Sequence, residues 1–143
     1  EAGLGPGIAS QTLFSEPLWI AVPPKHRFAA RKKLALKSLR DEPLILMKSG
    51  HGFRKIVLDA LAAAGVTPRV VHESGEIETV QALVKAGLGL SLVPGMVRRP
   101  SGPPYLAILP PTPSRTLALA WKEDAVLSAA ALALKETALK SLR

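Results

Sequence analysis

The sequence predicts an α/β fold organised around a parallel sheet, and three observations carry that prediction. Between Met47 and Pro94, short apolar runs alternate with amphipathic stretches of helical period. The connections between them are only a few residues long, which suits strand–helix–strand crossovers of the right-handed kind. A 48 % hydrophobic content in 143 residues is enough for a packed core in the usual range of one domain, about 100–200 residues.

The elements follow in order. Gly3, Gly5, Pro6 and Gly7 leave little room for regular structure at the start of the chain. Pro17 to Val22 is an apolar run closed by Pro23-Pro24, which suits a buried strand that cannot continue through the prolines. Leu36, Leu39 and the residues up to Asp41 suggest one helical turn before Pro43, and Leu44 to Met47 forms a four-residue apolar strand. Phe53, Ile56, Val57, Ala60, Leu61 and Ala64 then fall on one helical stripe, and Gly65 supplies a left-handed stop. Arg69 to Glu73 reads as a strand broken by Ser74-Gly75. A second helix begins near Glu76, where Glu76 and Glu78 favour the positive end of its dipole, with the stripe Ile77, Val80, Leu83 and Val84. Gly87 ends it, and Leu90 to Val93 is the next strand.

Beyond Arg98 the chain is rich in proline and glycine around one apolar run, Tyr105 to Leu109. Leu117 to Trp121 is a further strand. A last amphipathic helix is expected to place Leu127, Ala131, Leu134, Ala138 and Leu142 along one side, with Lys135, Glu136 and Lys140 outside that stripe.

Composition excludes several functions. Without cysteine there is no disulfide, thiol catalysis or thiol-based redox sensing. No apolar run reaches the roughly 18 residues that span a bilayer, and no signal segment opens the chain, so a soluble cytoplasmic protein without a membrane partner is expected. The net charge of +8 points to nucleic acid, an acidic membrane or an anionic small molecule. Its basic residues thicken at Lys25, Arg27, Arg31, Lys32, Lys33, Lys37 and Arg40, with no acidic residue between Pro17 and Arg40. With only Phe28 among them, base stacking is not supported; a solvated loop face is the leading reading of this run, and DNA contact by it the lesser alternative.

Candidate chemistry is sparse. Ser49 beside His51 lacks the first glycine of a nucleophile elbow, so no catalytic residue is assigned and the protein is not expected to be an enzyme. His26, His51 and His72 show no metal spacing, so neither metal nor cofactor is expected; His26 and His72 read as structural histidines, whereas His51 stands on a loop entering a helix. In parallel sheets ligands bind beyond the carboxyl ends of the strands, where helix N-termini offer unpaired N–H groups. Those ends are Ser49-Gly50-His51-Gly52, leading into Phe53, and Ser74-Gly75-Glu76, leading into Ile77. These nine residues are the candidate binding site for an anion, with plain helix capping as the alternative.

The stretch Glu73 to Pro94, reading ESGEIETVQALVKAGLGLSLVP, resembles the signature of the LysR-type effector domain. There a glutamate-ended strand leads into a helix ending V-x-x-G-x-G, then a short apolar strand and a proline. Leu13 to Val22 (LFSEPLWIAV) and Leu39 to Ile45 (LRDEPLI) agree with it, and Lys25 to Ala29 (KHRFA) departs from it in lacking a proline after the histidine. The resemblance implies a periplasmic-binding-protein-like type 2 fold of two α/β subdomains, the first incomplete in this chain. Residues 22–105 would form the second subdomain, and residues 1–21 with 106–143 part of the first.

It further implies an effector-sensing regulatory domain that binds a small, anionic metabolite between subdomains and thereby alters the packing of a homodimer or homotetramer. DNA would be reached only through an N-terminal helix-turn-helix missing from this chain. The family's peroxide-sensing branch uses a reactive cysteine in the loop matching Lys48 to His51, and none is present here, so reversible binding of a small effector is expected. A solute-binding protein of the same fold, serving transport, is the alternative.

Overall fold

The computed structural model describes residues 4–142. Gly3, part of the N-terminal reading above, lies outside the described residues, as do positions 1, 2 and 143. The strands are β1 (Ile8–Ala21), β2 (Lys33–Leu34), β3 (Pro43–Met47), β4 (Arg69–Ser74), β5 (Ser91–Pro94), β6 (Tyr105–Ile108) and β7 (Ser114–Lys122). The helices are α1 (Gly52–Ala63), α2 (Ile77–Lys85) and α3 (Ala129–Ser141), with 3-10 turns at Leu36–Leu39 and Gly95–Val97. The chain divides into two compact units: Glu1–Ser15 with Thr116–Arg143, and Glu16–Arg115. The boundaries read from sequence, after residues 21 and 105, fall inside the larger unit, because Trp19 to Ala21 pair there with β5 and β6.

The larger unit holds the core. Leu18, Ile20, Leu34, Leu39, Leu44, Ile45, Leu61, Val80, Leu90, Leu92 and Leu106 are all essentially inaccessible to solvent. The stripe expected on α1 is the one observed: Phe53, Val57 and Leu61 are buried, and Ile56, Ala60 and Ala64 pack against the same core. Its opposite face carries the i,i+4 pair Lys55–Asp59 at 2.5 Å. On α2 the buried positions are Val80, Gln81 and Val84. Gln81 is polar, and its buried amide oxygen accepts from the Tyr105 hydroxyl. Gly65 and Gly87 take φ of +70° and +92°, the left-handed stops that the two helices require.

The expected parallel sheet is correct for part of this unit only. β3 and β4 pair in parallel, and Leu44 bridges Leu90 in parallel through Ile45 N–H to Leu90 O and Leu90 N–H to Pro43 O, both 2.8 Å. β5 itself pairs antiparallel with β1, as β6 does, in the order β2–β6–β1–β5. β3–β4 is thus a two-stranded parallel sheet joined to the other sheet by the Leu44–Leu90 bridge, and the larger sheet is itself mixed, parallel at β2–β6 and antiparallel at β6–β1 and β1–β5. Helical crossovers enforce parallel pairing only from β3 to the start of β5, and β1 arrives from a different part of the chain.

Other differences are local. β1 starts at Ile8, well before Pro17, and Lys33–Leu34, in the basic stretch that the sequence reads as loop, forms a parallel edge strand on β6. His26 is a structural histidine, 2.9 Å from Glu42 Oε2, but His72 is exposed on β4.

In the smaller unit β7 pairs with β1, and the Ser15 and Thr116 hydroxyls meet at 2.7 Å. Ser128 caps α3 by accepting from the Ala131 N–H at 3.2 Å. The stripe expected on α3 is corrected. Leu127 precedes the helix, and Leu134 and Leu142 are 68 % and 45 % exposed. The half-buried side is instead Ala131, Lys135, Ala138 and Leu139, with Lys135 Nζ 3.8 Å from the Trp121 ring centre. No described side chain of this unit is fully buried, so there is no apolar layer to receive the leucines. Small residues and a lysine stem make the contact instead.

Candidate functional site

The site is built where β3 and β4 end together. Met47 and Ser74 are register partners, and the Lys48 N–H donates to Ser74 O at 2.9 Å, so the turns leading into α1 and α2 emerge side by side. Arg54 ties them down: its Nη1 donates to Met47 O at 2.6 Å and to Glu73 Oε1 at 2.9 Å. The first turn of each helix carries N–H groups with no intrahelical acceptor. His51 is the capping residue of α1, its Nδ1 accepting from the Phe53 N–H at 3.4 Å, and Ser74 Oγ accepts from the Glu76 N–H at 3.2 Å.

Beside these turns lies a cavity of about 250 Å³ lined by Met47, His51, Phe53, Gly75, Ile77, Pro94, Val97 and Arg115. Four of the nine residues expected from sequence, His51, Phe53, Gly75 and Ile77, are therefore brought together. Ser49, Gly50 and Gly52 are exposed on the turn and outside the lining. Ser74 lies outside the lining, its Oγ holding the turn by accepting from the Glu76 N–H, and Glu76 is exposed at the head of α2. The walls are mostly apolar, and the polar side chains that reach the cavity are an imidazole and a guanidinium.

Met47, Pro94, Val97 and Arg115 were not foreseen. Arg115 is the important omission. Its Nε donates to Glu16 Oε1 at 2.6 Å, its Nη2 lies 2.9 Å from Met96 Sδ, and its guanidinium is 5.6 Å from the Phe53 ring centre. Glu16 is buried, and its other oxygen accepts from the Met96 N–H at 2.6 Å. The carboxylate thus fixes the Nε edge of Arg115, while Nη2 faces only a thioether, a weak acceptor. That leaves the terminal edge of the fork suited to a carboxylate or phosphate. The one sequence signal was the glutamate in Leu13 to Val22, an acidic residue inside an apolar run.

A second cavity, about 590 Å³, lies at the other end of α1 among Ala60, Ala63, Ala64, Leu36 and residues 109–113. It is larger but poorer in chemistry. Thr112 Oγ1 already donates to Ile108 O at 2.8 Å, which leaves Lys37 as its one other polar side chain. Convergent polar groups, not volume, mark the smaller cavity as the candidate.

Comparison with known proteins gives a consistent result. The LysR substrate binding domain family matches residues 2–143. The chain is 36 % identical over 151 residues to YcgK of Bacillus subtilis, an uncharacterized HTH-type transcriptional regulator, covering 92 % of this chain and 46 % of YcgK. It thus spans about half the length of that relative. The C-terminal domain of a LysR family transcriptional regulator from Rhodococcus sp. RHA1 superposes with a TM-score of 0.83 at 26 % identity, covering 96 % of this chain and 70 % of that one. The effector binding domain of QuiR, solved in complex with shikimate, superposes with a TM-score of 0.90 at 22 % identity, covering 99 % and 68 %.

Proposed function

The chain belongs to the LysR substrate binding domain family, with its periplasmic-binding-protein-like type 2 fold, and on that premise we propose that it senses a small anionic metabolite for a DNA-binding transcriptional regulator. One observation carries the choice of ligand: Arg115 reaches an apolar-walled cavity bordered by the heads of two helices. A guanidinium with a free edge, His51 and unpaired helix N–H groups all favour negative charge there. The apolar walls of Met47, Phe53, Ile77, Pro94 and Val97 suit a compact carbon skeleton.

Regulation follows from where the anion acts. Arg115 stands in β7 and Glu16 in β1, the two strands that continue into the smaller unit. An effector on the terminal edge of Arg115 acts on a side chain whose Nε edge Glu16 already holds, and so bears on both strands. That shifts the balance of conformations in a homodimer or homotetramer, whose DNA contact is made through a helix-turn-helix outside this chain. Binding is reversible, since no thiol is available, and the protein acts in the cytoplasm as a sensor, not as an enzyme. The regulator YcgK supports regulation over transport, and the shikimate complex of QuiR supports a carboxylate of this size.

The test is a thermal-shift screen of small carboxylates, shikimate included, against the full-length regulator, followed by titration of variants. His51→Ala and Arg115→Gln should each weaken binding about tenfold or more, the scale of a lost charge-assisted hydrogen bond. Ser49→Ala should bind as the unmodified protein does. Unchanged affinity in both His51→Ala and Arg115→Gln overturns the site.

A further inference from the structure

We propose that the basic arm from Lys25 to Arg40 is a docking surface for the phosphate backbone of duplex DNA, separate from the effector cavity and from any helix-turn-helix. Three observations carry this. The first concerns ion pairs. In the larger unit Glu16, Glu42, Asp59, Glu73 and Glu78 each hold a basic partner. Lys25, Arg31, Lys32, Lys33, Lys37 and Arg40 hold no acidic partner among the described residues, and all six are exposed. Lys48, Arg69, Lys85 and Arg98 of the same unit also lack an acidic partner among the described residues, and Asp41 and Glu76 a basic one, but these are scattered, whereas six of the ten unpaired basic side chains stand on this one short segment.

The second observation is rigidity. The arm is folded by turns, with the His26, Ala29 and Arg31 N–H groups donating to Pro23, His26 and Phe28 carbonyls at 2.9–3.0 Å. Its middle is held at the sheet edge, where the Ala107 N–H donates to Lys32 O at 2.9 Å and Lys33 pairs with Ala107. Glu42 anchors the arm's start through His26 and Arg27. The charges are therefore presented by fixed backbone, unlike those of a flexible basic tail, which must be ordered on binding.

The third observation selects the partner. Every large apolar side chain in the arm, Phe28, Leu34, Leu36 and Leu39, is buried. Membrane-surface segments insert apolar residues between their lysines, and protein interfaces need a desolvated apolar or aromatic centre. An exposed face of lysine and arginine without either matches a regular array of phosphates, which is contacted by point charges and carries one negative charge per about 1.7 Å of duplex. With no exposed aromatic ring, stacking on single strands is also disfavoured. This departs from the expectation from sequence that DNA is met only through a helix-turn-helix: the domain itself supplies non-specific contacts beside the specific ones made there.

The experiment uses this 143-residue chain and a duplex of random sequence, titrated by anisotropy from 25 to 200 mM salt. A triple variant, Lys32→Gln, Lys33→Gln and Lys37→Gln, is compared with Lys48→Gln, Arg69→Gln and Lys122→Gln, which removes the same charge elsewhere. The chain should bind the duplex, and the arm variant should flatten the dependence of log affinity on log salt by about 3, at about 0.9 per lost phosphate contact. The second variant should change it by less than half as much. Equal effects of the two variants, or no binding at the lowest salt, overturn the proposal. So does tighter binding to polyglutamate or to phosphatidylserine vesicles than to duplex at matched charge, which would reassign the arm to an acidic protein or a membrane surface.

Discussion

Arg115 and Glu16 meet at 2.6 Å with side chains only 19 % and 10 % exposed, although they lie 99 residues apart in sequence. The pair holds one of the residues that line the candidate site, Arg115, and joins β7 to β1. Removing one partner from such a pair strands the other charge in a poorly solvated place. Glu16→Ala also leaves the Met96 N–H without its acceptor. We expect Glu16→Ala to lower unfolding free energy by about 3 kcal/mol in urea titrations. A loss below about 1 kcal/mol would show that the pair contributes no more than a surface salt bridge.

Acid should act through Glu42. Burial alone would raise the pKa of this carboxyl, but hydrogen bonds from Arg27 and His26, and their charges, outweigh it and bring the net value below the usual glutamate range. A depressed native pKa means that the unfolded chain takes up the proton more readily. The contribution is therefore complete above the unfolded value, about 4.3, and is lost as pH falls through the lower native value. Chemical denaturation between pH 7 and pH 3 should show Glu42→Gln less stable at neutral pH and with a flatter acid limb. Parallel acid limbs in the two proteins would contradict the assignment.

Gly89 separates α2 from β5 at a tight approach. A Cβ there would lie 2.8 Å from the Pro43 carbonyl oxygen and 3.1 Å from Ile45 Cγ1, next to the paired hydrogen bonds of Leu90. Gly89→Ala must push β5 away from β3, and overpacking of this kind costs about 2 kcal/mol. Thermal unfolding of Gly89→Ala against Gly75→Ala, where a Cβ meets nothing, isolates the clash. Equal melting temperatures would remove it.

The outward leucines of α3 should govern self-association of this chain, because Leu132 and Leu134 are 47 % and 68 % exposed. Leu132→Glu with Leu134→Glu should leave the melting temperature nearly unchanged, as surface substitutions do. The same change should reduce dye binding to exposed apolar surface and shift sedimentation towards monomer. A large fall in melting temperature would mean that these side chains are covered.

Much of this architecture was legible because it is local. The α1 stripe of Phe53, Val57 and Leu61, the stops at Gly65 and Gly87, and the turns after Met47 and Ser74 each depend on residues close in sequence. What escaped depends on distant partners. Lys33–Leu34 is a strand only because β6 lies beside it, and β5 runs antiparallel to a strand some seventy residues earlier. Periodicity found α3 but not its buried side, since the face that packs is chosen by the neighbour and not by the helix. In the candidate site, the turns gave His51, Phe53, Gly75 and Ile77. Arg115 remained hidden because a lone arginine in a strand has no pattern, and its place is fixed by Glu16 and Phe53.

The central claim is that the cavity beside Met47 and Arg115 takes a small anionic effector. Isothermal titration of a carboxylate found by thermal shift, into the full-length regulator and its Ile77→Trp variant, tests it most directly. Ile77 is half-buried at the edge of the core and lines the cavity, so an indole there takes up cavity space. The unmodified protein should bind, and Ile77→Trp should lose about tenfold or more in affinity, with the melting temperature of the unliganded protein little changed. Equal affinity in the two proteins would place the effector elsewhere and contradict the account.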